Sequence, residues 1–151
     1  YFGRNVKEDV CYATDKEEVE RVLADFRSRH IPVAVINEHL QGDLIKFYGV
    51  QGTDFFYWFY PSPCSHSKFG LEKINGIAKG IPFSVEELKI QSDKAAEALN
   101  VPIYGGDCVI SADGTLRIID FNDWPSFARC REEAGGKIAE CIYKRAKKQM
   151  K

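Results

Sequence analysis

Two aspartates and an asparagine in the last third of the chain have the types and spacing of a metal site. Asp107 and Asp120 lie in two β-rich runs, and Asp113-Gly114 between them is typical of a two-residue hairpin turn. That turn places the two aspartates opposite each other, with Cβ atoms about 4.5–5.5 Å apart, and Asn122 on the same face as Asp120. Opposed like charges destabilise a sheet, whereas two carboxylates and an amide oxygen suit Mg²⁺ that carries substrate phosphates. We therefore predict a site for Mg²⁺, or for Mn²⁺ in its place.

A purely structural interpretation of the same residues stays open. In it, Asp107 caps a turn and Asp120 pairs with Arg129 or Arg131. Neither role requires a ligand.

The elements that must position these residues are short strands and a few helices. Capping boxes at Thr14 with Glu17 and at Ser84 with Glu87 predict two helix starts, the second helix extending to about residue 99. A third helix is predicted over 129–147, and a long loop over 61–80. Strands are predicted at 9–13, 33–36, 44–50, 55–60, 103–111 and 116–121. This order predicts an α+β fold with an antiparallel or mixed sheet and flanking helices.

Composition excludes several classes of partner. The net charge of −1 gives no global nucleic-acid footprint, and no apolar run approaches the length of a membrane span. Five cysteines without a C-x-x-C spacing argue for reduced thiols, no zinc site and a cytoplasmic protein. We expect no nucleic-acid partner and no membrane partner.

The hairpin resembles the metal-binding hairpin of ATP-grasp enzymes. The likeness rests on Tyr-Gly-Gly-Asp-Cys-Val-Ile at 104–110, on the Asp-Gly turn, and on Ile-Ile-Asp-Phe-Asn-Asp-Trp-Pro-Ser-Phe at 118–127. The resemblance implies that Asp107, Asp120 and Asn122 hold Mg²⁺, which bridges the ATP phosphates. The chain departs from the family at Asp120, which is more often Glu. A second departure is Gly105, where many ligases of the family carry Arg.

A second stretch, Val-Ile-Asn-Glu-His-Leu-Gln-Gly-Asp at 35–43, resembles the ATP-grasp hinge between two lobes. The resemblance implies that Glu38 and His39 lie at the adenine edge and that Asp43 binds the ribose. Lys46 follows in the next strand and is a candidate phosphate ligand, as is Lys68 in the long loop. The alternative for these residues is an exposed strand end or a solvated surface.

The resemblance implies an ATP-dependent ligase. Such an enzyme activates a small-molecule carboxylate as an acyl phosphate, which an amine or thiol then captures. It also implies two lobes, a partial first one over 1–40 with the hinge strand and a second, metal-binding one over 41–151. We expect the rest of the first lobe to belong to a missing N-terminal part of the same polypeptide, so that this chain alone is inactive. Two alternatives remain: an ATP-grasp kinase resembling the inositol phosphate kinases, and a non-catalytic binding module of the same fold.

Overall fold

The computed structural model describes residues 9–61 and 74–150, which fall into two compact units. The described part of the first unit is 9–39 with 74–76, and that of the second is 40–61 with 77–150. The second unit contains the sheet and two of the three helices.

The described part of the first unit contains one α-helix, α1 (Lys16–Ser28), whose N-cap differs from the prediction. Asp15, not Thr14, is the N-cap residue, and its carboxylate accepts the backbone N–H of Glu18 at 2.8 Å. Glu18 in turn accepts the backbone N–H of Thr14 at 2.8 Å. The N-cap is therefore displaced by one residue from the predicted Thr14, because Asp caps as well as Thr does and also complements the helix dipole.

The strands predicted at 9–13 and 33–36 are wrong. Neither segment forms a strand, and Val33 and Val35 are 76% and 81% exposed. A β-branched run becomes a strand only where a neighbouring strand takes up its backbone hydrogen bonds. The described part of the first unit contains no such neighbour.

The second unit is built on a four-stranded antiparallel sheet, which confirms the α+β class with flanking helices. The strands are β1 (Asp43–Val50), β2 (Phe56–Phe59), β3 (Ile103–Ile110) and β4 (Leu116–Asp123), in the spatial order β2-β1-β3-β4. The helices are α2 (Val85–Leu99) and α3 (Arg131–Gln149). The predicted start and end of α2 are confirmed: Ser84 Oγ accepts the backbone N–H of Glu87 at 3.1 Å, and Asn100 closes the helix in the left-handed conformation.

The two faces of the sheet pack against different helices. On one face, the α2 face, Ile45, Phe47 and Tyr104 are fully buried with Leu88 and Ala96 of α2. On the other, the α3 face, the second core contains three sheet-side residues, two residues of the segment after β4 and two residues of α3: Val50, Phe55, Ile103, Phe127, Cys130, Ala134 and Cys141. This second core lies at the end of the sheet where β1 finishes and β3 begins, and the polar residues of the α3 face lie farther along the same strands.

Candidate functional site

One row of four side chains crosses the α3 face of the sheet, one from each strand. Directly opposed residues of an antiparallel pair project from the same face. Phe59 pairs with Lys46, Lys46 with Asp107, and Asp107 with Asp120. We call this set the central row: Phe59, Lys46, Asp107 and Asp120. Asn122 is opposite Gly105, and it lies on the same face as Asp120, two residues farther along β4.

A β-bulge at Ile119 brings Asp120 into the central row. The hairpin loop has three residues, 112–114, with Ser111 N donating to Thr115 O at 3.0 Å, and not the predicted two. A regular ladder from this loop would place Ile119 opposite Asp107 and would turn Asp120 to the α2 face. The bulge shifts the register by one residue and restores the facing pair. The predicted opposition of Asp107 and Asp120 is thus correct, although the predicted turn is wrong.

Lys46 neutralises one of the two carboxylates. Its ammonium group donates to both oxygens of Asp107, at 2.9 Å each, and the two side chains are 29% and 22% exposed. Asp120 is more exposed and accepts a hydrogen bond from the amide of Asn122. Among residues 9–61 and 74–150, no ion pair joins Asp120 to Arg129 or Arg131. The structure therefore does not support the alternative in which Asp120 pairs with one of these arginines.

The donor set of the row suits a cation that also carries other ligands. No group of three or more His, Cys, Asp or Glu side chains that could hold a metal ion occurs in the described part of the chain. Asp107, Asp120 and Asn122 supply three oxygen-donor side chains, which leave positions of an octahedral shell open when each binds through one oxygen. Mg²⁺ is commonly held by one or two carboxylates, with phosphates and water completing its octahedron. The residues therefore fit Mg²⁺ bound together with a phosphate ligand, and Lys46 would have to leave Asp107 for the metal to use both of its oxygens.

Asp43 lies on the opposite face of the sheet from the central row. It shares the α2 face with Ile45 and Phe47, since side chains alternate along β1. The carboxylate is buried and accepts the backbone N–H groups of Lys79 at 2.8 Å and Ile81 at 2.9 Å. Both oxygens hold the 79–81 backbone, so a ribose contact by Asp43 would require those amides to be displaced.

The remaining predicted site residues lie elsewhere. Glu38 and His39 belong to the first unit, where both are exposed. The His39 ring is within hydrogen-bond distance of Asn75 Oδ1, at 3.0 Å from Nε2, and packs edge-on against Tyr12. Lys68 lies outside the described residues. Only Lys46, Asp107, Asp120 and Asn122 of the predicted set are therefore shown to come together.

Gly105 has no room for the arginine that many ATP-grasp ligases carry at this position. A Cβ atom here would lie 2.7 Å from the Tyr48 ring and 2.8 Å from Pro125. A different arginine, Arg129, approaches this face in addition to Lys46, and its guanidinium carbon lies 4.5 Å from the centre of the Phe59 ring. The sequence suggested Arg129 only as a partner of Asp120, and it suggested no role for Phe59. The aromatic residues of β2 are the feature of the sequence that could have indicated a ring for an arginine to stack on.

A separate cavity of about 740 Å³ lies along the second half of α3, lined by residues that include Glu97, Asn100, Cys141, Lys144 and Arg145. No member of the central row lines it. We place the candidate site on the row, where opposed carboxylates, an amide and a cation converge.

Comparison of the chain with protein-family models, curated proteins and solved structures found no match. None of the helices among the described residues combines the length and the apolar character needed to cross a bilayer.

Proposed function

We propose that this chain is the ATP- and magnesium-binding portion of an ATP-grasp ligase. The observation that carries the proposal is the central row. Two carboxylates face each other on neighbouring strands, and Asp120 is turned towards Asp107 by a bulge. Bulges near functional sites often serve to re-aim a side chain in this way. The fold class, the hairpin and the residue types of the resemblance support the same assignment.

Lys46 takes two roles in this proposal. Without ligand, its ammonium group balances the charge of Asp107. A metal ion on the carboxylates would be held by Asp107 and Asp120, and the Lys46 ammonium group, released from Asp107, would be available to the phosphates bound with it. A lysine is suited to both roles because it is a compact charge on a flexible stem.

The reaction follows from the family that the hairpin resembles. The γ-phosphoryl group of ATP passes to a carboxylate oxygen, giving ADP and an acyl phosphate. The amine or thiol then attacks the acyl carbon, and inorganic phosphate leaves. Mg²⁺, when bound, supplies charge stabilisation for the phosphoryl group. Lys46 contributes a second cation to the same oxygens.

A kinase is the second candidate, and Gly105 favours it. The crowding at Gly105 excludes an arginine at the position where many ligases of the family use one. Phosphoryl transfer to a hydroxyl group forms no tetrahedral acyl intermediate and so has no need of that arginine. Hydroxylamine separates the two reactions, because it traps an acyl phosphate as a hydroxamate and does not react with a phosphate ester.

The first test is metal binding by matched variants. Mn²⁺ binding is measured by electron paramagnetic resonance, and Mg²⁺–ADP binding by calorimetry, for the wild type, Asp120→Asn and Asp123→Asn. Asp123 is three residues farther along β4 and is opposite Tyr104, on the α2 face, so its substitution removes the same charge from the other side of the sheet. We expect Asp120→Asn to weaken Mn²⁺ binding by about tenfold or more and Asp123→Asn to leave it unchanged. Identical titrations for the two variants would refute the proposed site.

A further inference from the structure

The loop between β4 and α3 crosses the α3 face in a strained conformation. Trp124 and Phe127 have φ angles of +41° and +49°, which bulky residues rarely adopt. The backbone N–H of Trp124 donates to Ile103 O at 2.9 Å, and the buried Phe127 ring packs 5.3 Å from that of Tyr48. Backbone strain that the surrounding structure maintains is found most often at binding and active sites.

This loop carries Arg129 to the end of the central row. The guanidinium group stacks over Phe59, and Phe59 lies directly beside Lys46. Stacking covers one face of a guanidinium group and leaves the N–H groups at its edge free to donate. Among the described residues, no carboxylate within ion-pair distance of Arg129 takes those donors. Within the described part of the chain, the contact that holds this cation is therefore an aromatic ring and not an opposite charge.

The positions of the charges define the shape of a ligand. Neighbouring strands lie about 4.7–4.9 Å apart, so Phe59, over which Arg129 stacks, lies roughly 10 Å from the strand of Asp107, with Lys46 on the strand between them. With a metal ion on Asp107 and Asp120, positive charge would lie over three neighbouring strands: the metal at β3, Lys46 on β1 and Arg129 over Phe59 of β2. A polyanion with charges along its length matches this arrangement, and a single carboxylate does not.

We propose that Arg129, supported by Phe59, binds a phosphate group of a polyphosphate chain whose other phosphates contact the metal and Lys46. This inference rests on the proposed metal site and adds to it the residue that holds the part of the triphosphate remote from the metal. A planar guanidinium group is suited to that role because two of its parallel N–H groups can donate to one phosphate.

The test compares Arg129→Gln with Arg129→Lys and Arg131→Gln in the full chain. Arg131 is an exposed neighbour of the same charge and serves as the control. The ligands are a non-hydrolysable ATP analogue, inorganic triphosphate and AMP, each with Mg²⁺, and Mn²⁺ alone. We expect Arg129→Gln to weaken both triphosphates by about tenfold. It should leave the affinity for Mn²⁺ alone unchanged, and a parallel loss for AMP would identify the α-phosphate as the group that Arg129 binds. Arg129→Lys should recover only part of the loss, because an ammonium group cannot stack and donate in the same plane. Arg131→Gln should match the wild type.

Two results would overturn the inference: wild-type affinity of Arg129→Gln for both triphosphates, or a loss confined to the ATP analogue, which would place Arg129 at the nucleoside. These outcomes are separate from failure of the metal site, since that failure is read from Mn²⁺ binding by Asp120→Asn alone.

Discussion

Replacement of Asp43 by asparagine separates a structural role of this carboxylate from a role in nucleotide binding. The carboxylate accepts two backbone N–H groups, from Lys79 and Ile81, inside the second unit. Asparagine keeps one acceptor oxygen and turns an NH₂ group towards the other backbone donor. Hydrogen bonds to a charged group contribute about 1.5–3 kcal/mol each, so the loss of one should cost about 2–3 kcal/mol of unfolding free energy. For a chain of this size the melting temperature should fall by roughly 5–10 °C.

The loss of stability in Asp43→Asn should depend on pH, and the pKa of Asp43 predicts in which direction. Burial raises the pKa of Asp43, but the backbone N–H groups of Lys79, Ile81 and Gly80 together outweigh it and hold the pKa below its usual range. A carboxyl group with a lowered folded-state pKa stabilises the fold above its unfolded-state pKa, about 3.9, and this stabilisation is lost as the pH falls through the folded-state value. The difference in stability between the wild type and Asp43→Asn should therefore be largest near pH 7 and should close below about pH 4.

Urea unfolding at several pH values measures the stability difference, and amide hydrogen exchange at Lys79 and Ile81 locates it. Exchange at these two amides should accelerate in Asp43→Asn. The exposed Asp123→Asn variant is the control for removal of one negative charge, and it should unfold like the wild type. The reasoning is refuted if Asp43→Asn keeps wild-type stability and exchange rates while it loses affinity for Mg²⁺–ADP, since that result assigns Asp43 to the nucleotide.

Three further substitutions or labels test other parts of the second unit. Lys46→Met should raise the affinity for Mn²⁺ alone, because it removes the ammonium group that occupies Asp107, and it should lower the affinity for Mg²⁺–ADP. It should also lower the free energy of unfolding by about 1–2 kcal/mol, a cost between those of losing an exposed and a buried ion pair. Equal changes of both affinities in one direction would contradict this. Ser92→Ala should raise the free energy of unfolding by about 1 kcal/mol in urea, because Ser92 Oγ is buried without a hydrogen-bond partner among the described residues. A lower free energy of unfolding would show that Ser92 has a partner. Burial raises the pKa of Cys108 to about 11, so this thiol should resist labelling at pH 8 in the native state while the exposed Cys11 reacts. The labelled sites are mapped by mass spectrometry, and labelling of Cys108 before Cys11 would show that the core opens.

The sheet of the second unit was predictable because each of its elements carries its own signal. The strands β1 to β4, α2 with its Ser84 cap, and most of α3 were expected from periodicity and capping residues, and the bounds differ by two residues or fewer. The segment 33–36 failed for a physical reason: strand propensity acts through pairing, and the described part of the first unit offers no partner strand. Long-range partners of this kind cannot be read from a local pattern.

The candidate site was predictable in part, and the reason lies in β4. The facing pair of aspartates followed from the assumption of one regular ladder, whereas the chain reaches it through a three-residue loop and a bulge. The sequence holds a sign of the bulge. Leu116 and Ile118 pack on the α2 core, and the next core residue is Phe121, three positions later, which breaks the two-residue period of a strand. By contrast, the stacking of Arg129 on Phe59 depends on the path of a loop with two left-handed residues, and no local pattern encodes that path.

Deletion of Ile119 tests whether the core, and not the turn, aligns the two aspartates. Ile118 and Phe121 are both required on the α2 face, and removal of the extra residue between them leaves a regular alternation in which Asp120 still opposes Asp107. Ile119 is 53% exposed, so little packing is lost. We expect the deletion variant to fold and to bind Mn²⁺ within about twofold of the wild type, as should Ile119→Ala, which keeps the bulge. A folded deletion variant that no longer binds Mn²⁺, beside an Ile119→Ala variant that does, would show that the facing pair alone is insufficient. The local twist that a bulge adds to the strand would then be part of the metal site.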